Sequence, residues 1–199
     1  MNLTPNEVIE WVIVAAAVAY LVLAIRQSIW CWPLAFLSTA LSIYLFSEVS
    51  LYMESALNVF YLVMAVLGYW QWRARDVATA QHDGPPVGTL HWSFHLGALI
   101  VIALLVWLSS AVLSHYTDQV MPVVDSLTSW TAVWATWLQV RKVLENWFYW
   151  LAIDLVSIWL YLERGLEGYA LLFGVYVVMI PFGYVAWRRS MRAATGAAT

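Results

Sequence analysis

Shifting the sequence by 115 residues without a gap lays 32–73 over 147–188, and 14 of the 42 aligned positions are identical. The matches include Ser42 with Ser157, Ile43 with Ile158, Glu48 with Glu163, Tyr61 with Tyr176, Met64 with Met179, Gly68 with Gly183, Tyr69 with Tyr184, Trp72 with Trp187 and Arg73 with Arg188. Upstream, Arg26 falls on Arg141. Self-similarity on this scale means that one supersecondary unit is built twice, so the fold must accommodate two copies of it.

Each copy carries three long apolar runs. Runs able to cross about 30 Å of hydrocarbon predict seven spans, at 8–25, 29–46, 52–72, 92–113, 127–140, 146–162 and 169–187. The chain is 63% hydrophobic and 11% charged, against roughly 45–50% and 25% in soluble domains. An integral membrane protein is therefore expected. In lipid each peptide group must be bonded within its own segment, which makes the spans helices and the fold class all-α. The fifth span is diluted by Thr128, Ser129, Thr131 and Thr136 and closed by Gln139, a composition that faces protein or water. Trp11, Trp70, Trp72, Trp92 and Trp187 fall near span boundaries and read as belt residues at the water interface.

Between the copies the fourth span is unpaired, and its single crossing restores the second triplet to the orientation of the first. The expected organisation is a first three-helix repeat at 1–73, a cytoplasmic loop at 74–91, a linking helix at 92–113, a second repeat at 114–190 and a cytoplasmic tail at 191–199. Parallel three-plus-one-plus-three repeats of this kind suit a carrier with substrate bound near the midplane at the repeat interface. Arg26, Arg73, Arg75, Arg141, Lys142, Arg188, Arg189 and Arg192 cluster at alternate ends of the spans, whereas Arg164 joins Glu48, Asp118, Glu163 and Glu167 on the other side. The positive-inside rule then places the N-terminus outside and the C-terminus in the cytoplasm. Glu7 and Glu10 stand where a secretory signal would be basic, so the first run is expected to be retained. The lone Cys31 supports no internal disulfide, and the net charge of −3 singles out no partner.

Polar residues inside these runs are the candidates for function. Asn146, Trp150, Asp154, Ser157 and Tyr161 recur at helical spacing on the sixth span. An aspartate at a helix centre costs about 2.5–3.5 kcal/mol to insert. Asp154 aligns with Thr39, Asn146 with Cys31, Trp150 with Ala35 and Asn58 with Phe173, so the deep polar groups are one-sided, as an asymmetric ligand requires. A structural carboxylate capped by hydroxyl or indole donors is the alternative. No basic residue shares the depth of Asp154, which points to a cationic ligand as its partner. Asn58 and Tyr61 share a face of the third span, and Trp130, Trp134, Trp137 and Arg141 one of the fifth. Ordinary helix packing would explain both, but a desolvated Trp face also holds a cation with roughly 2 kcal/mol. Trp32, Thr39 and Tyr176 complete the set as counterparts of Trp147, Asp154 and Tyr61.

Other chemistries find no support. Phosphate-binding glycine loops and the signatures of intramembrane hydrolases are absent. Lys142 is the only lysine and lies in a turn, which excludes a retinal Schiff base. His91 and His95 stand at i and i+4 without a third ligand, so no metal or other cofactor is expected. Pro181 interrupts the seventh span where its counterpart is Val66, a one-sided hinge.

At Trp32-Pro33, at Leu57-Asn58-Val59-Phe60-Tyr61 running into Gly68-Tyr69-Trp70-Gln71-Trp72, and at Arg141-Lys142-Val143-Leu144-Glu145-Asn146-Trp147 with Asp154, the sequence resembles the PnuC-type vitamin transporters. The resemblance covers essentially the whole chain. It implies a bacterial inner-membrane carrier for nicotinamide riboside, with relatives for thiamine or riboflavin, a full-length SWEET-like fold and a homotrimer. It further implies facilitated diffusion, with a cytoplasmic kinase trapping the product by phosphorylation. By position, Asn146, Trp147, Asp154 and Asn58 fall in the family's substrate region. Asn58 stands where many members are expected to have Gln, and the fifth span is unusually rich in Trp. Nicotinamide riboside and thiamine both carry a fixed cation on an aromatic ring, so they suit Asp154 and the Trp faces better than riboflavin does. A non-transporting scaffold subunit would not need the one-sided polar groups. An enzyme acting on lipid head groups would need a paired acid and base that the chain lacks, and nothing suggests a nucleic-acid partner.

Overall fold

A computed structural model describes residues 5–48, 52–79, 86–116, 121–163 and 167–196. Among them are seven helices: α1 (Pro5–Ile25), α2 (Cys31–Glu48), α3 (Tyr52–Thr79), α4 (Trp92–Tyr116), α5 (Pro122–Val140), α6 (Asn146–Glu163) and α7 (Glu167–Gly196). Each answers to one expected span. Residues 80–85 of the predicted loop, with Asp118 and Arg164, lie outside the described residues.

Three helix ends differ most from expectation. α5 begins at Pro122, ahead of its apolar run. Proline fits a first turn because its missing N–H would have no partner there, and Asp125 suits the positive end of the helix dipole. α3 continues to Thr79 and α7 to Gly196, through Arg73 and Arg188 respectively. Arginine and alanine are good helix formers, so the helix outlasts the hydrocarbon-length run. Pro181 lies within α7 without ending it. By length and composition, Trp92–Tyr116 and Ala170–Ala194 are each sufficient to cross a membrane.

The chain forms two compact units, Met1–Pro86 with Val185–Thr199, and Val87–Tyr184. In the first, α2 packs against both α1 and α3; in the second, α5 packs against both α4 and α6. Hydroxyls on α5 turn back onto their own helix, Thr128 to the Val124 carbonyl at 3.1 Å and Thr136 to that of Ala132 at 2.7 Å. This satisfaction lets a polar helix be buried.

The turns after α1 and α5 are built alike. Gln27 (φ 57°) and Lys142 (φ 53°) both adopt the left-handed conformation. Gln27 N–H donates to Ala24 O at 3.0 Å and Ser28 N–H to Leu23 O at 2.9 Å, while Lys142 N–H donates to Gln139 O at 3.0 Å and Val143 N–H to Leu138 O at 2.9 Å. This pair of bonds is the Schellman arrangement, which usually has Gly at the left-handed position. The second turn also has a clamp, in which Gly88 N–H donates to Lys142 O at 3.1 Å and Leu144 N–H to Gly88 O at 2.8 Å.

Tryptophan sets the helix spacing within each unit. Trp32 is buried against α3, edge-on to Trp72 at 5.2 Å, and its ring lies so close to Gly68 that a Cβ there would sit 2.5 Å from it. Trp147 lies in the same way on Gly183, closer still. Trp72 meets Trp187 at 6.4 Å, and the Trp187 indole donates to Ala24 O at 3.0 Å. Trp72 and Trp187 are thus buried core residues rather than belt residues, whereas Trp11, Trp70 and Trp92 are exposed. Position along the chain could not separate the two classes, because Trp70 and Trp72 lie roughly 200° apart around one helix.

Alanine at Gly68 or Gly183 should overpack these contacts and destabilise the protein by about 1–3 kcal/mol, seen as a lower unfolding temperature in detergent. Gly97 and Gly174, where an added Cβ meets nothing within 4 Å, should accept Ala with no loss or a small gain.

Candidate functional site

The stripe on α6 is realised as an inward face. Asn146, Asp154 and Ser157 are buried and Trp150 is half-buried, while Phe148, Leu155, Trp159 and Leu162 are exposed. Asn146 begins the helix, and its Nδ2 donates to Val143 O at 2.6 Å, tying the side chain to the preceding turn. Its Oδ1 is buried with no hydrogen-bond partner. One turn on, Trp150 Nε1 donates to Gln139 Oε1 at 3.0 Å, and Gln139 is itself buried at the end of α5.

Asp154 follows at 4% exposure. Among the described residues neither a hydrogen-bond donor nor a cationic side chain offsets its burial. Tyr176 on α7 lies within electrostatic range of it. Tyr176 meets Phe173 edge-on at 5.6 Å, and Phe173 stacks on Tyr161 at 5.4 Å, so an aromatic run joins α6 and α7 beside the carboxylate. A buried charge without a partner is costly; the arrangement favours a cation or hydroxyl donor at this carboxylate.

A second aromatic group surrounds Tyr149. Trp134 and Trp137 stack at 4.8 Å and 17°, Trp134 meets Tyr149 at 6.5 Å, and the Arg141 guanidinium lies 4.3 Å from the Trp137 ring centroid. The Trp134 indole N–H is near the Tyr149 hydroxyl but makes no hydrogen bond. His95 Nδ1 pairs with that hydroxyl at 3.0 Å, and His91 Nδ1 with Ser93 Oγ at 2.9 Å. The two histidines are thus engaged separately.

The second unit therefore holds Asn146, Trp150, Asp154, Tyr176, Trp134 and Trp137; Trp32, Thr39, Asn58 and Tyr61 belong to the first. There the Thr39 hydroxyl donates within its own helix, to Ala35 O at 2.7 Å and Phe36 O at 3.1 Å. Trp32 is a packing residue with a buried, unpartnered indole N–H. Asn58 and Tyr61 are half-buried on α3. The structure adds Gln139 and Tyr149 to these contacts, neither of which is among the sequence candidates. Gln139 carried a usable signal, since its counterpart under the 115-residue shift is Ala24.

Residues 7–189 match the family described as nicotinamide mononucleotide transporter. The chain belongs to this family. It is 28% identical over 171 residues to the riboflavin/roseoflavin transporter RibM of Streptomyces davaonensis, an alignment covering 84% of this chain and 78% of RibM. Its fold resembles that in a crystal structure of the vitamin B3 transporter PnuC with a TM-score of 0.78 at 19% identity, over 96% of this chain and 84% of the other. The protein is thus a multi-pass membrane transporter of the vitamin-transporter class, with a PnuC-like fold, and not an enzyme.

Of the stacked pair, Trp137 is already engaged by Arg141, which leaves Trp134 better placed to offer a ring to a ligand. Trp134→Leu should weaken vitamin binding by about 1–2 kcal/mol, while Trp137→Leu should chiefly lower the unfolding temperature. Calorimetric titration and thermal unfolding of both variants separate these outcomes.

Proposed function

We propose that the protein imports a water-soluble vitamin with a cationic ring, nicotinamide riboside first, across the bacterial inner membrane by uncoupled facilitated diffusion. Phosphorylation by a cytoplasmic vitamin kinase then traps the product. The observation that carries this reading is Asp154, buried with no compensating cation among the described residues, on the face that also bears Asn146 and Trp150. A pyridinium ring would supply the charge, and the ribose hydroxyls would supply donors to Asp154 or Asn146 Oδ1. Trp150 and Trp134 would bind the ring by stacking. Thiamine fits the same charge but offers one hydroxyl. Riboflavin is a second reading, favoured by the similarity to RibM; its neutral ring would use Asp154 only through ribityl hydroxyls.

The architecture proposed with this function is two parallel three-helix repeats, 1–73 and 114–190, joined by α4, SWEET-like in plan and assembled as a homotrimer. The matching turns at Gln27 and Lys142 and the matching ring-on-glycine contacts support the duplication. The basic residues at alternate span ends support an external N-terminus and a cytoplasmic C-terminus. A scaffold subunit would have no use for a carboxylate as costly as Asp154.

Asp154→Asn keeps shape and one acceptor but removes the charge. Binding of nicotinamide riboside and thiamine should both fall at least tenfold if the charge compensates a ring cation, whereas a loss for riboside and riboflavin alone would assign hydroxyl recognition. Unchanged binding of all three by a well-folded variant would make Asp154 structural. Uptake into proteoliposomes should stop at equal concentrations on the two sides, because no ligand binding energy is linked to an ion. Accumulation driven by an imposed proton or sodium gradient would overturn the uncoupled mechanism.

A further inference from the structure

Gln139 is buried at 3% exposure at the end of a membrane helix, and its amide oxygen lies 3.0 Å from Trp150 Nε1. An indole N–H can only donate, so this contact fixes which end of the amide faces the ring. Both partners are one-sided. Under the shift that superimposes the two copies, Gln139 falls on Ala24 and Trp150 on Ala35. The first copy makes the same turn with neither side chain, using the backbone bonds Gln27 N–H to Ala24 O and Ser28 N–H to Leu23 O in place of those at Gln139 and Leu138. Packing of the turn therefore does not require the amide.

The position also suits an orienting role. Gln139 ends α5 one residue before the Val140 that closes it, and its backbone carbonyl accepts from the left-handed Lys142. The amide is anchored to the turn that launches α6, and Trp150 stands one turn beyond Asn146 on that helix. A half-buried indole without this bond would be free to choose among its rotamers. With it, the ring is held on the face that carries Asp154.

We infer that Gln139 is a positioning residue for substrate recognition, holding the Trp150 indole so that its ring face meets an aromatic vitamin ring. The inference rests on the proposed role of Trp150 in the substrate site.

The test is a double-mutant cycle on the full-length protein in detergent, titrated calorimetrically with nicotinamide riboside and with riboflavin. Gln139→Met matches the side chain in length and removes the acceptor; it should raise Kd about 5- to 10-fold, the scale of one lost hydrogen bond. Trp150→Phe removes the donor and should produce a similar loss. In the Trp150→Phe background, Gln139→Met should add less than a twofold further effect, because the interaction it breaks is already gone. Gln139→Glu keeps an acceptor oxygen and should recover most of the affinity, a rescue that a purely structural role would not produce. Should Gln139→Met fail to fold, the decision passes to Trp150→Phe, which must lose affinity by that factor while Trp150→Ala loses more. Additive losses in the cycle, or parental affinity in Trp150→Phe, overturn the inference. If Trp150→Ala binds like the parent, or the parent binds neither vitamin, the substrate-site reading itself fails.

Discussion

A tryptophan ring lying directly on glycine backbone fixes how closely and in what rotation the helices of each unit pack. Helices in lipid gain nothing from hiding apolar surface, because the acyl chains are as apolar as leucine; close van der Waals contact has to hold them together. Gly68 and Gly183 remove the Cβ that would keep Trp32 and Trp147 away. The rotation follows from the contact. With Trp147 turned onto α7, the side of α6 bearing Phe148, Leu155, Trp159 and Leu162 is exposed, and the side bearing Asn146, Asp154 and Ser157 is buried. The placement of the carboxylate is thus a consequence of a packing contact two turns away.

The turns that precede α2 and α6 add the second constraint. A left-handed non-glycine residue costs about 1–2 kcal/mol, yet Gln27 and Lys142 both occupy that conformation. Glycine would avoid the cost but would loosen a turn whose direction decides where the next helix begins. Lys142 is fully buried despite its charge, and its carbonyl accepts from Gly88 N–H while Gly88 O accepts from Leu144 N–H. The segment leading into α4 is thereby bonded to the turn that starts α6. No described segment seals the first turn in that way.

Hydropathy made the number and order of the helices legible, because each apolar run had to form its own hydrogen bonds in lipid. Helix ends were less so: α3 and α7 run past the apolar stretch because the backbone responds to helix propensity after the side chains have met water. Trp72 and Trp187 show the limit of reading position alone, since a boundary tryptophan can face lipid or core with equal sequence support. The polar stripe on α6 was readable from its spacing and from its mismatch with the first copy. Gln139 carried only its mismatch with Ala24, since at the end of a span whose composition suits protein or water its direction stays open until the bond to Trp150 sets it.

Packing and the recognition proposed for Asp154 fall on different positions of the two aligned copies. The ring-on-glycine contacts and the left-handed turns occur in both copies, because both face the same problem of holding helices together without a hydrophobic driving force. Asp154, Trp150, Gln139 and Asn146 occur only in the second, opposite Thr39, Ala35, Ala24 and Cys31. A carboxylate at a helix centre costs about 2.5–3.5 kcal/mol, so a second one at position 39 would double the penalty. The Thr39 hydroxyl avoids that cost by bonding to carbonyls of its own helix. The asymmetric ligand proposed above needs one such carboxylate, and the other copy is neutral at the corresponding position.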